Sequence, residues 1–413
     1  MRTRTILLRS LVVAFSVSAV SVIVVTPVRG EIPEGYLTPR PMGMGGAFTA
    51  VANDESAFWT NPAGIARARK ARSREGIHIL KFPNATVGLN SASKSFYSAL
   101  KGTSSAGVAD VIANSDFNES KPFYARAAAF PVVLFEIAQN DPMGFGIFEN
   151  STMRVYIDKD TPTDARISAV TDVGTSIGYA YTNFANRLNI GFNLRPTYRY
   201  AYEDTVPSGE LKSKAALYKR IKKDSNRGTG IGADIGMMFT IADFWFPTVG
   251  VAIRNLPTGC KTDYLNPFTE ERQKICGTVY SGSNGNPEAL SVIDPMDTRI
   301  GMSISPRIAK NFGIRFTADV QNIYLGTGSS YYGLPGIDFS KMLHGGLELF
   351  SGNPLERSAV AFQVGANQGF VTWGFSLNGA FGSLEFASYA ADVSNTVKRV
   401  EDRRYLASLS LML

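Results

Sequence analysis

The sequence predicts an all-β chain: a fourteen-stranded antiparallel transmembrane β-barrel built round an N-terminal plug segment. Three observations predict it. Apolar and polar residues alternate with period two over stretches of about ten residues, the length a tilted spanning strand needs. The connections between those stretches alternate between tight turns and long loops, the pattern of a barrel with short turns at one rim and loops at the other. A compact, glycine-rich stretch, Arg40–Arg67, precedes the strands. Irregular backbone lies at membrane depth only where protein or a wet cavity surrounds it, so this stretch reads as a plug.

Taken in order, residues 1–30 read as an export signal. Arg2, Arg4 and Arg9 form its charged start, Leu11–Val25 its apolar run, and Val28-Arg29-Gly30 its small-residue end. The apolar run is shorter than the ~20 residues of a spanning helix. The net charge of +7 owes four charges to Arg2, Arg4, Arg9 and Arg29, which leaves +3 on the mature chain. The high pI is therefore no argument for nucleic-acid binding. Residues 31–72 are assigned to the plug and 75–413 to the barrel. In the plug, Gly43, Gly45 and Gly46 permit close backbone approach. Asn61 reads as an N-cap, with Pro62 at the first helical position ahead of Ala63 and Gly64.

The predicted strands are Glu75–Asn90, Phe123–Gln139, Met143–Asp158, Thr171–Thr182, Asn186–Tyr202, Thr229–Thr240, Thr248–Asn255, Thr298–Ser305, Phe312–Leu325, Met342–Phe350, Ala359–Ala366, Phe370–Gly379, Gly382–Asp392 and Arg403–Leu413. The alternation is sharpest in the fifth. There Ile190, Phe192, Leu194, Tyr198 and Tyr200 share one face, and Asn189, Gly191, Asn193, Arg195 and Arg199 the other. Tyrosines gather at strand ends, as an aromatic girdle would.

Cys260 and Cys276 are the only cysteines. In an exported chain they read as a disulfide. Two thiolates with no histidine nearby do not make a metal site, and no metal or cofactor is assigned. His78 and His344 have no motif that places a nucleophile beside them, so no catalytic residue is assigned and the chain is read as no enzyme.

The run MGMGGAFTAVAND from Met42, with its Asn61-Pro62-Ala63-Gly64 close, resembles the N-terminal signature of the FadL superfamily of outer-membrane proteins. The PMGMGG wording is similar to the PorV-like and uncharacterised branches more than to the classical fatty-acid transporters. The resemblance implies a plugged fourteen-stranded barrel in the outer membrane of a Gram-negative bacterium. It implies passive passage of hydrophobic small molecules, with long-chain fatty acids as first candidate. The alternative is a PorV-like docking barrel that partners secretion-system proteins.

In the transporter branch the substrate lands between the third and fourth external loops, here Glu203–Gly228 and Leu256–Asp297. A shift of the N-terminal segment, here Glu31–Arg40, and a kink in the third strand, here Met143–Asp158, then let it leave sideways. Gly144, Gly146 and Asn150 are the candidate weak points of that strand, or ordinary members of it. Arg195, Arg199, Arg299 and Arg315 face the lumen with Asp234 and Asp319. They could hold a carboxylate head group, or pair with one another and with Arg40, Asp54 or Glu55 of the plug. The basic loop Lys212–Arg227 faces either solvent or lipopolysaccharide phosphates, and the outer wall faces membrane lipid.

Overall fold

The computed structural model describes residues 35–68, 76–93, 122–138, 141–157, 164–184, 187–207, 210–211, 213–265, 272–281, 293–323, 339–355, 357–393 and 399–412. Residues 1–30, where the export signal is expected, the stretch 31–34, most of the connection after the first strand and the final residue lie outside them.

The chain builds one antiparallel wall from β1 (Gly76–Asn90), β2 (Phe123–Ala129), β3 (Val132–Ala138), β4 (Asp141–Ile157), β5 (Asp164–Asn183), β6 (Leu188–Pro207), β7 (Asn226–Thr240) and β8 (Thr248–Arg254). A separate external sheet follows: β9 (Gly259–Leu265), β10 (Arg272–Val279) and β11 (Ile293–Pro295). The wall resumes with β12 (Asp297–Ile304), the short β13 (Arg307–Ala309), β14 (Phe312–Ile323), β15 (Leu343–Ser351) and β16 (Val360–Asn367). It ends with β17 (Phe370–Asn378), β18 (Gly382–Asp392) and β19 (Glu401–Met412).

β1 pairs with β19, and β12 pairs with both β8 and β14, so the wall closes. β2 and β3 lie end to end between β1 and β4 and act as one broken strand. Counted so, and with the short β13, which pairs with β14 alone, left out, the barrel has fourteen strands. Closure leaves no unpaired edge, which an apolar solvent requires.

The orientation of the faces decides what surrounds the wall. Phe192 is 39% exposed, Val371 63% and Leu409 57%, whereas Asn193 and Thr372 are 0% exposed. The apolar side looks out and the polar side looks in, the inverse of a soluble sandwich.

Three differences from the sequence reading have physical causes. β5 and β6 run to Asp164 and Pro207, well past the membrane length, because a ladder continues in water once both strands are present. The long connection after β8 carries its own sheet. The third strand is continuous: β4 pairs with β5 without interruption from Met143 to Ile157. The break lies one strand earlier, at Phe130-Pro131 between β2 and β3. Pro131 has no N–H to give the ladder. β1 is irregular at the same height, where its register with β19 shifts between Phe82 and Ala85.

Candidate functional site: the plugged lumen and the broken wall

The plug crosses the barrel as three short pieces. Helix α1 (Pro39–Gly43) packs against β16, β17 and β18. A 3-10 turn, Glu55–Phe58, follows, capped by the Asp54 carboxylate, which accepts from Ser56 N at 2.9 Å. A second 3-10 turn, Pro62–Ala66, is capped by Asn61, which accepts from Ala63 N at 3.1 Å, and it packs against β5, β6 and β7. At the bend after α1, Gly45 has φ +68°. A side chain there would also strike the carbonyls of Ala366 and Gly345.

Irregular backbone has donors and acceptors that no ladder satisfies. The lumen face supplies them. Asp319 Oδ2 accepts from the backbone N–H groups of Phe48 and Thr49, both at 2.9 Å. Gln321 donates to Gly46 O at 2.6 Å, Thr372 to Gly43 O at 3.0 Å, and Asn193 to Phe58 O at 3.0 Å. His344 Nδ1 lies 2.8 Å from Gly45 O, so this histidine serves the plug.

A belt of buried ion pairs ties the plug to the wall. Arg40 donates to Glu348 at 2.7 and 3.0 Å and to Asp54 at 2.5 Å. Glu348 also accepts from Arg315. Glu55 accepts from Lys81 of β1 and from Arg357, which donates to Glu385 of β18 at 2.7 Å. Burial pushes the Asp54 and Glu55 carboxyls up. Nearby cations, Arg40 first for Asp54 and Arg357 first for Glu55, pull them further down, below the usual carboxylate range.

A depressed folded-state pKa stabilises fully above the ordinary value of about 4 and is lost as pH falls through the folded value. Hydrogen exchange over residues 40–66 should therefore be constant from about pH 7 to about pH 5. It should rise once the pH drops below about 4, beyond the intrinsic pH dependence of exchange. Flat protection down to about pH 2 would remove the belt as the plug's tether.

Glycines on the lumen face make room for the plug. A Cβ at Gly191 would sit on the Pro62 carbonyl, one at Gly236 on Asn61 Oδ1, and one at Gly346 2.5 Å from Met44 O. Gly144 and Gly146 belong to the same cradle. Their missing side chains leave space for Phe58 and Phe130 and do not break the ladder. Asn150 accepts from Arg126 at 2.6 Å. Of the three gate candidates on β4, Gly144 and Gly146 thus seat neighbouring side chains and Asn150 binds Arg126, while the break in pairing lies at Phe130-Pro131.

An aromatic cluster closes that place from inside. Phe130 is fully buried. Its ring meets Trp59 at 5.1 Å, Phe58 at 5.4 Å and Tyr36 at 5.8 Å, all edge-on. Tyr36 stacks on Trp59 at 4.4 Å and 18°. The N-terminal segment thereby lays a flat ring in a slot between Trp59 and Phe130. Asn84 stitches the gap, donating from Nδ2 to Phe130 O and accepting at its own carbonyl from Phe130 N, both at 3.0 Å.

The four arginines do not form one site, and each already faces a carboxylate. Arg195 pairs with Asp234 and donates to Asn255 at 2.8 Å. Arg199 is held by Asp172 at 2.6 and 2.8 Å and by Asp294 at 2.8 and 3.0 Å. Arg299 pairs with Asp297 at 2.5 Å, and Arg315 with Glu348. The Arg199–Asp294 pair latches the external sheet to the barrel, and Tyr280 donates to Asp294 at 2.8 Å. Cys260 and Cys276 sit opposite each other in β9 and β10 and are joined by a disulfide. The position of Tyr36, Phe130 and Glu348 in the site was not read from sequence. Pro131 inside a strand pattern was the signal that would have led to Phe130.

A closed fourteen-stranded barrel with a lumen-filling N-terminal segment defines a plugged membrane barrel. No protein-family model matches the chain, and no curated protein matches it. Solved structures do. The chain is similar to the Pseudomonas putida toluene transporter TodX, with TM-score 0.51 and 10% identity over 93% of this chain and 99% of that one. A deltaS2 mutant of the TodX monoaromatic hydrocarbon channel matches with TM-score 0.51 and 11% identity over 90% and 97%. The Ralstonia pickettii toluene transporter TbuX matches with TM-score 0.48 and 13% identity over 91% and 97%. At such identities the two TodX likenesses show the fold alone.

Proposed function

We propose that the chain passes hydrophobic small molecules across the outer membrane of a Gram-negative bacterium by diffusion. The molecule enters between the external loops and moves beside the plug. It leaves sideways through the wall at Phe130-Pro131. The observation that carries this reading is the aromatic slot of Tyr36, Trp59 and Phe130, which lies directly against the one place where β2 and β3 part. The toluene and hydrocarbon channels of the same fold support it.

Within that class we favour an uncharged, flat, ring-sized molecule over a long-chain fatty acid. A carboxylate head group needs a cation to receive it, and Arg195, Arg199, Arg299 and Arg315, the arginines singled out for that role, are each occupied by a carboxylate of the protein. A planar ring, by contrast, fits where the Tyr36 ring lies, in offset or edge-on contact with its neighbours.

The test is direct. A strain lacking the chain should take up labelled toluene several-fold more slowly than the parent while taking up labelled oleate normally. In purified barrel, Tyr36→Ala should bind toluene several-fold more tightly than the parent, because the ligand no longer has to displace the tyrosine. Uptake of both compounds unchanged by deletion would overturn the transport reading. So would an empty lumen together with a stoichiometric protein partner, the outcome a secretion-system docking barrel would give.

A further inference from the structure

We propose that the external helix α2 (Lys214–Asp224) and the strand edge beneath it form a docking site for the phosphate groups of the outer-leaflet glycolipid, lipopolysaccharide. The inference rests on the outer-membrane placement given above and not on what the barrel transports.

The helix sits on the outside of the barrel. Leu217 and Ile221 pack against Phe123, Val155, Ile167, Tyr202 and Val206. Register shows which face that is. Val155 pairs with Ile167, Ala165 with Val206, and Ala169 with Tyr202, without slippage down to Tyr179 opposite Phe192. These residues therefore stand on the same side of the wall as Ile190, Phe192, Tyr198 and Tyr200, which face lipid. The helix continues the lipid-facing surface upward, past the membrane edge.

Tyr198 and Tyr200 mark that edge. Both are exposed and meet edge-on at 4.8 Å, as girdle tyrosines do. Arg227 lies over the Tyr200 ring at 5.7 Å, with its side chain exposed at the same rim.

The helix face turned away from the wall carries Lys219, Lys222 and Lys223, all exposed. Arg220 is neutralised by Asp204 at 3.4 Å and Glu210 at 3.6 Å. Among the described residues, no carboxylate pairs with the three lysines or with Arg227. One acid on the helix, Asp224, offsets a quarter of this charge. Its hydrophobic face is consumed by the wall, so only the cationic face remains for a partner. A basic face held just above the headgroup plane, with an arginine at the tyrosine girdle, matches an anionic interface. The loops that carry it are on the long-loop side of the barrel, the outer side, where the interfacial phosphates belong to the glycolipid.

The experiment uses the mature full-length barrel purified from outer membranes in mild detergent. Wild type is compared with Lys219→Glu/Lys222→Glu/Lys223→Glu, with Arg227→Gln, and with Lys310→Glu on the opposite rim. Heat-modifiable gel migration confirms that each is folded. Native mass spectrometry should find about one lipopolysaccharide on wild type and on Lys310→Glu. Retention should drop at least about tenfold in the triple variant, with a smaller drop for Arg227→Gln. In nanodiscs, lipopolysaccharide should raise the melting temperature of wild type, and the enzymatically dephosphorylated glycolipid should not. Equal retention by wild type and the triple variant overturns the site. Equal stabilisation by the dephosphorylated glycolipid, or by phosphatidylglycerol, overturns the phosphate or the glycolipid assignment. A barrel that takes up toluene but keeps no lipopolysaccharide sinks this inference alone. One that keeps lipopolysaccharide but takes up no toluene sinks the transport reading alone.

Discussion

Glu348→Ala should free the plug while leaving the barrel wall standing. Glu348 has no exposure, and it receives Arg40 of the plug, Arg315 of β14 and Gln363 of β16. Removing it strands the buried Arg315 guanidinium and leaves that of Arg40 with Asp54 as its one carboxylate. Breaking a buried charge pair by deleting one partner costs about 3–5 kcal/mol, because the remaining charge cannot reach water. That is a shift of roughly a hundredfold or more in the ratio of seated to released plug.

The wall has its own source of stability in continuous ladders, for example between β5 and β6 and between β18 and β19. The expected result is therefore selective. Protease should cut within residues 40–67 at least tenfold faster than in wild type, and single barrels in a planar bilayer should conduct ions. Heat-modifiable migration of the wall should persist. Glu348→Gln keeps the volume and an acceptor but loses the charge, so it should fall between. Plug protection within about twofold of wild type in Glu348→Ala would mean that the hydrogen bonds to Asp319, Gln321 and Thr372 hold the plug unaided.

What the sequence revealed and what it hid divide by range. Side-chain alternation is a property of neighbours two apart, so Phe192 against Asn193 and Val371 against Thr372 could be assigned to opposite faces from local pattern. The short-turn, long-loop rhythm gave the direction of each strand. The ion-pair partners could not be found this way, since Arg40 and Glu348 are 308 residues apart and meet only when the barrel closes. Length expectations taken from a membrane misled at β5, whose water-exposed half is also strand. Pro131 was a local signal that the alternation around it concealed. The role of the wall glycines is hidden for a related reason. By parity they belong with the polar face, yet their role is to be absent volume, and which of them meets the plug depends on where the plug lies.

That volume argument yields a sharp contrast between adjacent residues. Gly345 and Gly346 follow each other in β15 and point to opposite sides of the wall. A Cβ at Gly346 would lie 2.5 Å from Met44 O and 2.9 Å from Met44 Cβ, while one at Gly345 has nothing within 4 Å. Gly345→Ala should be neutral within about 0.5 kcal/mol, as an unstrained surface change is. Gly346→Ala must move either β15 or the plug. The wall is held by two ladders at this point, to β14 and β16, so the plug gives way. Overpacking typically costs about 1–3 kcal/mol, and the obstacle here is backbone, which has no rotamer to escape into.

Gly191 repeats the arrangement at the far end of the plug, against Pro62. If the plug is one cooperative body, Gly346→Ala and Gly191→Ala should each raise hydrogen exchange throughout residues 40–66, and together they should add. If α1 and the turn Pro62–Ala66 are released separately, each variant will loosen only its own end. A Gly346→Ala barrel whose exchange matches that of Gly345→Ala would show that Met44 is not seated against β15, and the cradle would have to be abandoned.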